Sequence, residues 1–497
     1  MISEYDVIII GAGPGGLSAA KVAREKGAER VAILERDDMA GGILNQCLHD
    51  GFGIVRYGQQ LSGPEYAEIE WKKALEVGAE ILTGHMVTEI RPETGESEGG
   101  DETGESAGRD KTGESAARFM VTAARPHGLR QLRTRAVVLA TGCRERTRGM
   151  LSIPGSRPAG IFTAGVAQNL INRQNVMVGK RVVILGSGDI GLIMARRLTL
   201  EGAQVICVAE IQPQPCGLAR NVRQCLFDYG IPLYLRTTVT NIFGKNRLEA
   251  VELTDAEGSS RRIECDTLVL SVGLIPENEV AKTAGVELNQ KTGGAVTDEF
   301  LQTSVPGIFT CGNAREVMDL ADFVSEQGET AGANAASYAA GQPLQAWTKD
   351  LHNVARKGMP EEGSVTCTLC PKGCQVRIEA ADGPDGSGEP GVEWTVTGNS
   401  CPRGEEFARQ ELIDPQRILT TTVRVPRAGS AGEMLLPVRS DRPVPLAEMQ
   451  KLVQQICDAQ VSVPEEGIRR GETLMEDLGK NHANIVAERT IQAASDL

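Results

Sequence analysis

The sequence predicts an α/β chain, with two Rossmann-like dinucleotide-binding domains followed by a small α+β module built around four cysteines. Three observations carry that prediction. Two glycine loops, Gly11-Ala12-Gly13-Pro14-Gly15-Gly16 and Gly186-Ser187-Gly188-Asp189-Ile190-Gly191, each follow a short apolar run and open a helical stretch. They lie 175 residues apart. In the last third of the chain, Cys367, Cys370, Cys374 and Cys401 are spaced C-x2-C-x3-C-x26-C.

The first apolar run, Tyr5 to Ile10, reads as a buried parallel strand. In the loop that follows, Gly11 lets the chain turn, Gly13 lets a pyrophosphate approach the backbone, and Gly16 lets helix pack on strand. A helix expected over Leu17–Lys26 then points its N-terminus at the phosphates. The next strand, Val31–Leu34, ends at Glu35, whose carboxylate suits the two hydroxyls of a ribose, with Arg36 beside it. The same order recurs: strand Arg181–Leu185, the second glycine loop, a helix expected over Leu192–Glu201, and strand Val205–Ala209 ending at Glu210. Gly186, Gly188, Asp189, Ile190, Gly191 and Glu210 are its candidate nucleotide contacts. An acid at 210 accepts a free 2′-hydroxyl and repels a 2′-phosphate, which favours NAD(H) over NADP(H). A glycine-rich turn alone could be a turn with no ligand. Strand, loop, helix and acid in sequence argue against that, and two copies imply two different dinucleotides.

The cysteines point to a metal. Three thiolates within eight residues suit a body with several corners, with a distant Cys closing the fourth. A single zinc ion is more often held by two separated pairs. A [4Fe-4S] cluster, a structural zinc and four unligated thiols all stay open on spacing alone. Val376–Glu379 and Val392–Val396 alternate as half-buried strands, and apolar residues at 446, 449, 452, 453 and 456 form one face of a helix.

Composition narrows the class. The 497 residues suit two to four domains, and 41% hydrophobic residues can fill large cores. A net charge of −14 argues against nucleic acid or an anionic membrane surface as partner. No apolar run reaches 18 residues, and a strand starting by Tyr5 leaves no room for a signal peptide, so a cytoplasmic protein is expected. The twelve cysteines then read as metal ligands and reduced thiols, and the five histidines include no spaced pair. Residues 93–119 repeat a nine-residue unit three times (ETGESEGGD, ETGESAGRD, KTGESAARF) with no apolar face. We expect a disordered insert at a hairpin tip. Residues 381–391 form a second polar tract, and 346–364 read as a linker.

Further motifs carry a family resemblance. Val137–Gly142 resembles the strand and ATG turn by which flavoproteins return to their cofactor, and Val269–Pro276 resembles the matching turn of a nicotinamide domain. Thr303–Asn313 resembles the T-x-x-P-G-I-F-A-x-G-D flavin motif, with Asn313 where the family usually has Asp. Residues 1 to about 345 thereby resemble the pyridine nucleotide–disulfide oxidoreductase superfamily. The resemblance implies an FAD domain (1–150 and 276–345) interrupted by an NAD domain (155–275). Gly11, Gly13, Gly16, Glu35, Arg36, Gly42, Thr141, Gly142, Gly312, Asn313, Gln327 and Gly328 would face FAD, the last two from a helix starting at about Ser325. Gly273 would close the NAD site. The family's disulfide is missing: Gly41-Gly42 leads to Leu44 and His49 at the two sulfur positions, with a single Cys47 between them. Nor does the NAD domain hold a C-x2-C, since Cys207, Cys216 and Cys225 lie 9 apart. Cys47 and His49 are the catalytic candidates in the flavin pocket, with a packed thiol and a satisfied imidazole as the alternative. Ile193 stands where many relatives have Glu.

The cysteine set resembles the [4Fe-4S] segment of molybdopterin oxidoreductases, which implies an iron–sulfur domain over 365–497. Thr366–Cys401 with the following PRGEEFARQELIDPQRILTTTVRV resembles a small uncharacterised bacterial family. GGILNQCLHDGFG, CRERTRG and DFVSEQGE resemble a flavoprotein family. Both are commonly encoded beside an FAD-dependent glycerol-3-phosphate dehydrogenase-like protein in anaerobic bacteria. The resemblance implies an enzyme passing electrons between NAD(H), FAD and [4Fe-4S] in a hetero-oligomer with a glycerol-3-phosphate or 2-hydroxy-acid dehydrogenase-like subunit. Two alternatives stand beside it: a stand-alone NADH oxidase or reductase with a zinc-stabilised docking domain, and a protein using FAD only as a structural or sensing element.

Overall fold

A computed structural model describes residues 2–93, 118–348, 355–380, 394–426 and 433–491. The N-terminal sheet runs in the order Glu80–Leu82, Val31–Leu34, Ser3–Ile10, Gly128–Leu139, Arg118–Arg125, Met86–Glu93, and Ile308–Thr310 pairs with the end of Gly128–Leu139. Ser3–Ile10 pairs in parallel on both sides, with Ile10 opposite Leu34 and opposite Leu139. Its side chains alternate between two cores. Val7 and Ile9 pack with the alanines of helices Pro14–Glu25 and Ala321–Ala339, while Ile8 and Ile10 pack with Phe119 and Val121. Burial on both faces is why this strand reads as an unbroken apolar run.

Met86–Glu93 and Arg118–Arg125 form an antiparallel hairpin whose last pair is Glu93 with Arg118. The nine-residue repeats therefore enter at the tip of a hairpin. Residues 94–117 of the repeats, residues 381–391 and part of the proposed linker lie outside the described residues.

A second sheet holds five parallel strands in the order Ile161–Thr163, Thr267–Leu270, Arg181–Leu185, Gln204–Ala209, Leu233–Tyr234. An antiparallel three-stranded sheet over residues 237–264 covers one face. Both helices after the glycine loops begin three residues earlier than expected, at Pro14 and Asp189, with Gly13 and Gly188 as their N-caps. The later glycines lie inside the first helical turn, where the absence of a side chain lets the helix settle against the strand ends.

The described residues of the C-terminal module form three small sheets, one of them the two-stranded pairing of Gln416–Arg417 with Val444–Pro445. Val365–Thr366, Gln375–Ala380 and Trp394–Thr397 pair antiparallel, and helix Pro402–Ile413 follows. Beyond it, Thr420–Pro426, Glu433–Ser440, Ala483–Ala487 and Thr473–Leu478 form a four-stranded sheet. The predicted apolar face covers this sheet through Met449, Leu452, Val453 and Ile456, in a helix over Met449–Asp458. Leu446 falls instead in a 3-10 turn before it.

The module binds both dinucleotide units. Toward the middle unit, Arg417, 5% exposed, donates to both oxygens of Glu411 at 2.7 Å and from Nε to Asp228 at 2.8 Å. Arg223 joins through Glu411 at 3.2 Å. Toward the N-terminal unit, Arg439 reaches Glu65 at 3.0 Å, and the amide and hydroxyl of Thr490 donate to Glu68 at 2.7 and 2.6 Å. Breaking the Arg417 network strands two buried carboxylates, which costs about 3–5 kcal/mol. Arg417→Met should lower the urea midpoint accordingly, whereas Arg424→Ala, at an exposed position, should leave it within experimental error.

Candidate functional site: two nucleotide loops and a cysteine corner

The first glycine loop is shaped by contact on one side and space on the other. A Cβ at Gly16 would lie 1.9 Å from Gly11 O, and one at Gly328 would lie 2.1 Å from Gly15 O. Nothing lies within 4 Å of a Cβ at Gly13, so the loop backbone is open where a pyrophosphate would approach. Gly42 closes on it from the side, its Cβ position 3.1 Å from Gly13 Cα. Glu35 is buried. Its Oε2 accepts the Ala12 amide at 2.8 Å and its Oε1 the Asp37 amide at 2.9 Å, while Arg36 is exposed.

The returning segments fix the far side. Thr141 Oγ1 donates to Glu277 O at 2.6 Å, and Gly142 O accepts the Glu277 amide at 2.9 Å. Asn313 Oδ1 accepts the Met318 amide at 2.9 Å, and its Nδ2 donates to Cys143 Sγ at 3.4 Å. The following helix starts at Ala321, four residues before the expected position, so Gln327 and Gly328 sit in its second turn and not at its N-terminus. In its first turn the Asp322 carboxylate accepts the amides of Gly53, Val55 and Arg56. Gln327 instead turns its side chain back, Oε1 accepting the Gly312 amide at 2.7 Å. Its Nε2 is buried and has no partner. An orphaned donor beside an open glycine loop fits a ligand rich in acceptors, as FAD is.

The second loop repeats the first. Glu210 Oε2 accepts the Ser187 amide at 2.9 Å and the Ser187 hydroxyl at 2.5 Å, and Oε1 accepts the Gln212 amide at 2.9 Å. Gly186 and Gly191 both close on Ser271, and Gly191 N donates to Ser271 Oγ at 3.0 Å. Gly188 N-caps the helix, Ile190 is partly buried, and Gly273 O accepts the Arg146 amide. Asp189 turns away from the loop. Its Oδ1 accepts Leu218 N and Asn221 Nδ2, both at 2.7 Å, and burial pushes its carboxyl upward.

Cys47 and His49 are brought to the same segment, and neither is set up for acid–base work. Burial pushes the Cys47 thiol up to about 12, and its Sγ donates to Ile43 O at 3.2 Å. His49 is held down at about 4, first by its low-polarity surroundings, with Arg220 and Arg196 adding to this. It is therefore a neutral imidazole near pH 7.

The four cysteines gather at one corner. Cys367 N donates to Cys374 O at 2.8 Å, and Cys374 Sγ lies 3.2 Å from Ser400 Oγ. Burial pushes the Cys367 thiol up to about 11, and Cys370, Cys374 and Cys401 all add to the rise. Cys401, the N-cap of helix Pro402–Ile413, is drawn below the usual thiol value by the Gly404 amide and by Arg403. Even so, among the described residues no three His, Cys, Asp or Glu side chains are placed to hold a metal ion.

A strap over residues 356–358 ties this corner to residues 217–219, which rest on the second glycine loop, and to Asp319. Ala219 N donates to Arg356 O at 2.9 Å, Arg356 N donates to Pro371 O at 3.1 Å, and Gly358 N donates to Gly217 O at 3.3 Å. Lys357 Nζ lies 2.7 Å from Asp319, just before helix Ala321–Ala339. The linker reading did not foresee this strap.

Residues 5–339 match the model of the pyridine nucleotide-disulphide oxidoreductase family. The chain belongs to that family. This oxidoreductase chain also matches, over residues 402–489, a family described as a protein of unknown function (DUF1667). It is 28% identical over 333 residues to an opine oxidase subunit of Agrobacterium tumefaciens, covering 62% of this chain and 61% of that protein, less than two thirds of its length. It is 27% identical over 319 residues to the thioredoxin reductase of Treponema pallidum, covering 63% and 90% of the two chains. The crystal structure of T. acidophilum thioredoxin reductase shares the fold with a TM-score of 0.54 at 24% identity, over 68% of this chain and 99% of that one. FAD and a nicotinamide dinucleotide are the cofactors typical of the family. The family disulfide is absent here, as Leu44 and His49 occupy its positions. Among the described residues no helix is long and apolar enough to cross a membrane.

Gly328 offers a direct test of the first loop. Gly328→Ala forces a Cβ onto Gly15 O, an overpacking that costs about 1–3 kcal/mol, or about 5- to 100-fold in FAD retention. The flavin-to-protein absorbance ratio after dialysis should fall, and Gly149→Ala, with nothing closer than 3.8 Å to its Cβ, should leave it unchanged.

Proposed function

We propose that this chain is an NAD(H)-linked FAD oxidoreductase that passes electrons between NAD, FAD and a [4Fe-4S] cluster, working in complex with a glycerol-3-phosphate or 2-hydroxy-acid dehydrogenase-like partner. One observation carries the reading: the 356–358 strap joins the second glycine loop, the start of helix Ala321–Ala339 and the cysteine corner through consecutive hydrogen bonds and one ion pair. Bound FAD would exchange one hydride, an electron pair, with nicotinamide and would pass the two electrons on singly. Glu35 and the first loop hold the flavin adenosine and pyrophosphate, and Gln327 Nε2 supplies the donor to its polar edge. Glu210 accepts the ribose hydroxyls of NAD. Four thiols with no competing imidazole have the chemistry of iron–sulfur ligands but would have to draw closer together than they stand here to hold a cluster, and Cys401, exposed at a helix N-terminus, would be the ligand nearest solvent. The relative from Agrobacterium tumefaciens, which matches over the same region, is by name one subunit of an opine oxidase, and this supports a role within a larger assembly.

Protein purified without oxygen should carry one FAD and about four irons per chain, with an EPR signal on reduction. Stoichiometric zinc without iron would favour a docking module instead. Cys370→Ser should abolish electron transfer to the co-purified partner while NADH still bleaches the flavin band.

Nucleotide choice is a separate matter. NADH should reduce the flavin with a kcat/KM well above that of NADPH, and Glu210→Ala should narrow the gap by about tenfold or more. Equal use of both nucleotides by the unaltered protein refutes the role given to Glu210.

A further inference from the structure

Helix Asp189–Leu200 carries two adjacent arginines, Arg196 and Arg197, which are 7% exposed each, and the electron-transfer reading uses neither. They face a cavity of about 30 Å³ where this helix meets Leu48, His49 and Thr420. That is room for about two water-sized species. Gln168 and Asn172 also line it, at 3% and 4% exposure.

The charges around this cavity do not balance. Arg197 pairs with Glu201 at 2.7 Å, and Arg220 pairs with Asp50 at 3.5 Å. Arg196 donates from Nη2 to Ile418 O at 3.4 Å and faces the Tyr229 phenol, the Cys225 thiol and, at longer range, Asp50, and among the described residues no carboxylate forms an ion pair with it. His49 is neutral near pH 7. Glu488, the other buried acid near Arg197, lies against Ser62, Glu65 and Arg439, and burial holds its carboxyl well above the usual range. Of the two guanidinium groups that line the cavity, only that of Arg197 has a carboxylate in an ion pair. A buried charge without a counter-charge costs several kcal/mol.

The hydrogen-bonding atoms left over say what would relieve it. Arg197 Nε is buried without a partner. Gln168 Oε1 is occupied by Gln46 Nε2 at 3.1 Å, so its free amide hydrogens are donors. Asn172 gives its Nδ2 to Gln46 O at 2.8 Å, which leaves Oδ1 as an unpartnered acceptor. Two guanidinium groups and an amide NH2 call for an anion, and a lone acceptor beside them calls for a water. We propose that Arg196, Arg197 and Gln168 hold a small inorganic monoanion of halide size, with one water bridging it to Asn172. The ion sits where the two dinucleotide units and the C-terminal module meet, and their packing then depends on it.

The test uses the full chain with FAD bound. Crystals equilibrated in sodium bromide should show a bromine anomalous peak within hydrogen-bond reach of Arg196. In solution at constant ionic strength, replacing gluconate by chloride should raise Tm by about 1–2 °C per tenfold increase above the dissociation constant. Arg196→Met should remove that dependence while retaining the flavin. If Arg196→Met does not fold, Gln168→Leu should weaken the chloride dependence at least several-fold. No anomalous peak at the site overturns the proposal, as does a peak with a Tm indifferent to chloride.

Discussion

Two helices meet in this protein with almost nothing between them, and the geometry of the flavin loop follows from that contact. Pro14–Glu25 and Ala321–Ala339 approach so closely that a Cβ at Gly328 or Gly332 would lie 2.1 Å from a backbone carbonyl of the other segment. Alanines 19, 20, 23, 331, 335 and 336 line the remainder of the seam. Small residues allow backbone-to-backbone packing, and each Å gained moves the glycine loop and Gln327 together. Larger side chains would separate them and leave the orphaned Gln327 amide facing solvent or protein instead of a ligand.

The two nucleotide loops solve one electrostatic problem in the same way. Each places a buried carboxylate at a strand end, and each spends one oxygen on the glycine-loop amide and the other on the amide two residues further on. Such bonds hold each carboxylate in one orientation at the mouth of its glycine loop. The second loop adds the Ser187 hydroxyl, which binds Glu210 and accepts the Cys216 amide at 3.0 Å. That extra bond links the nucleotide acid to the segment on which the strap rests.

Much of this was legible in the sequence because it depends on local rules. Strands buried on both faces read as apolar runs, and the glycine loops with their following acids read as nucleotide devices. What stayed hidden depends on distant partners. Asp189 belongs to the glycine motif, yet its carboxylate secures Leu218 and Asn221, and only the fold places those residues beneath it. Asp322, in the first turn of its helix, gathers amides from 53–56, more than 260 residues earlier. The Arg196-Arg197 doublet did leave a signal: two charges in a helix whose neighbours are apolar. Arg417, Glu411 and Asp228 left none, because nothing in any one segment announces a three-way partner.

The route from the second glycine loop to the cysteine corner fixes the C-terminal module on the dinucleotide units. Asp189 fixes Leu218, Ala219 fixes Arg356, and Arg356 fixes Pro371, one residue from Cys370. The position of that cysteine loop is thus set by the nucleotide loop and not by the length of the linker. On the far side, Arg417 and Thr490 bind the module to the middle and N-terminal units in turn, so it spans both. A module attached by a flexible tether alone would sample many distances from the flavin. One held at three separate surfaces keeps its cysteine loop at a fixed place relative to both nucleotide loops.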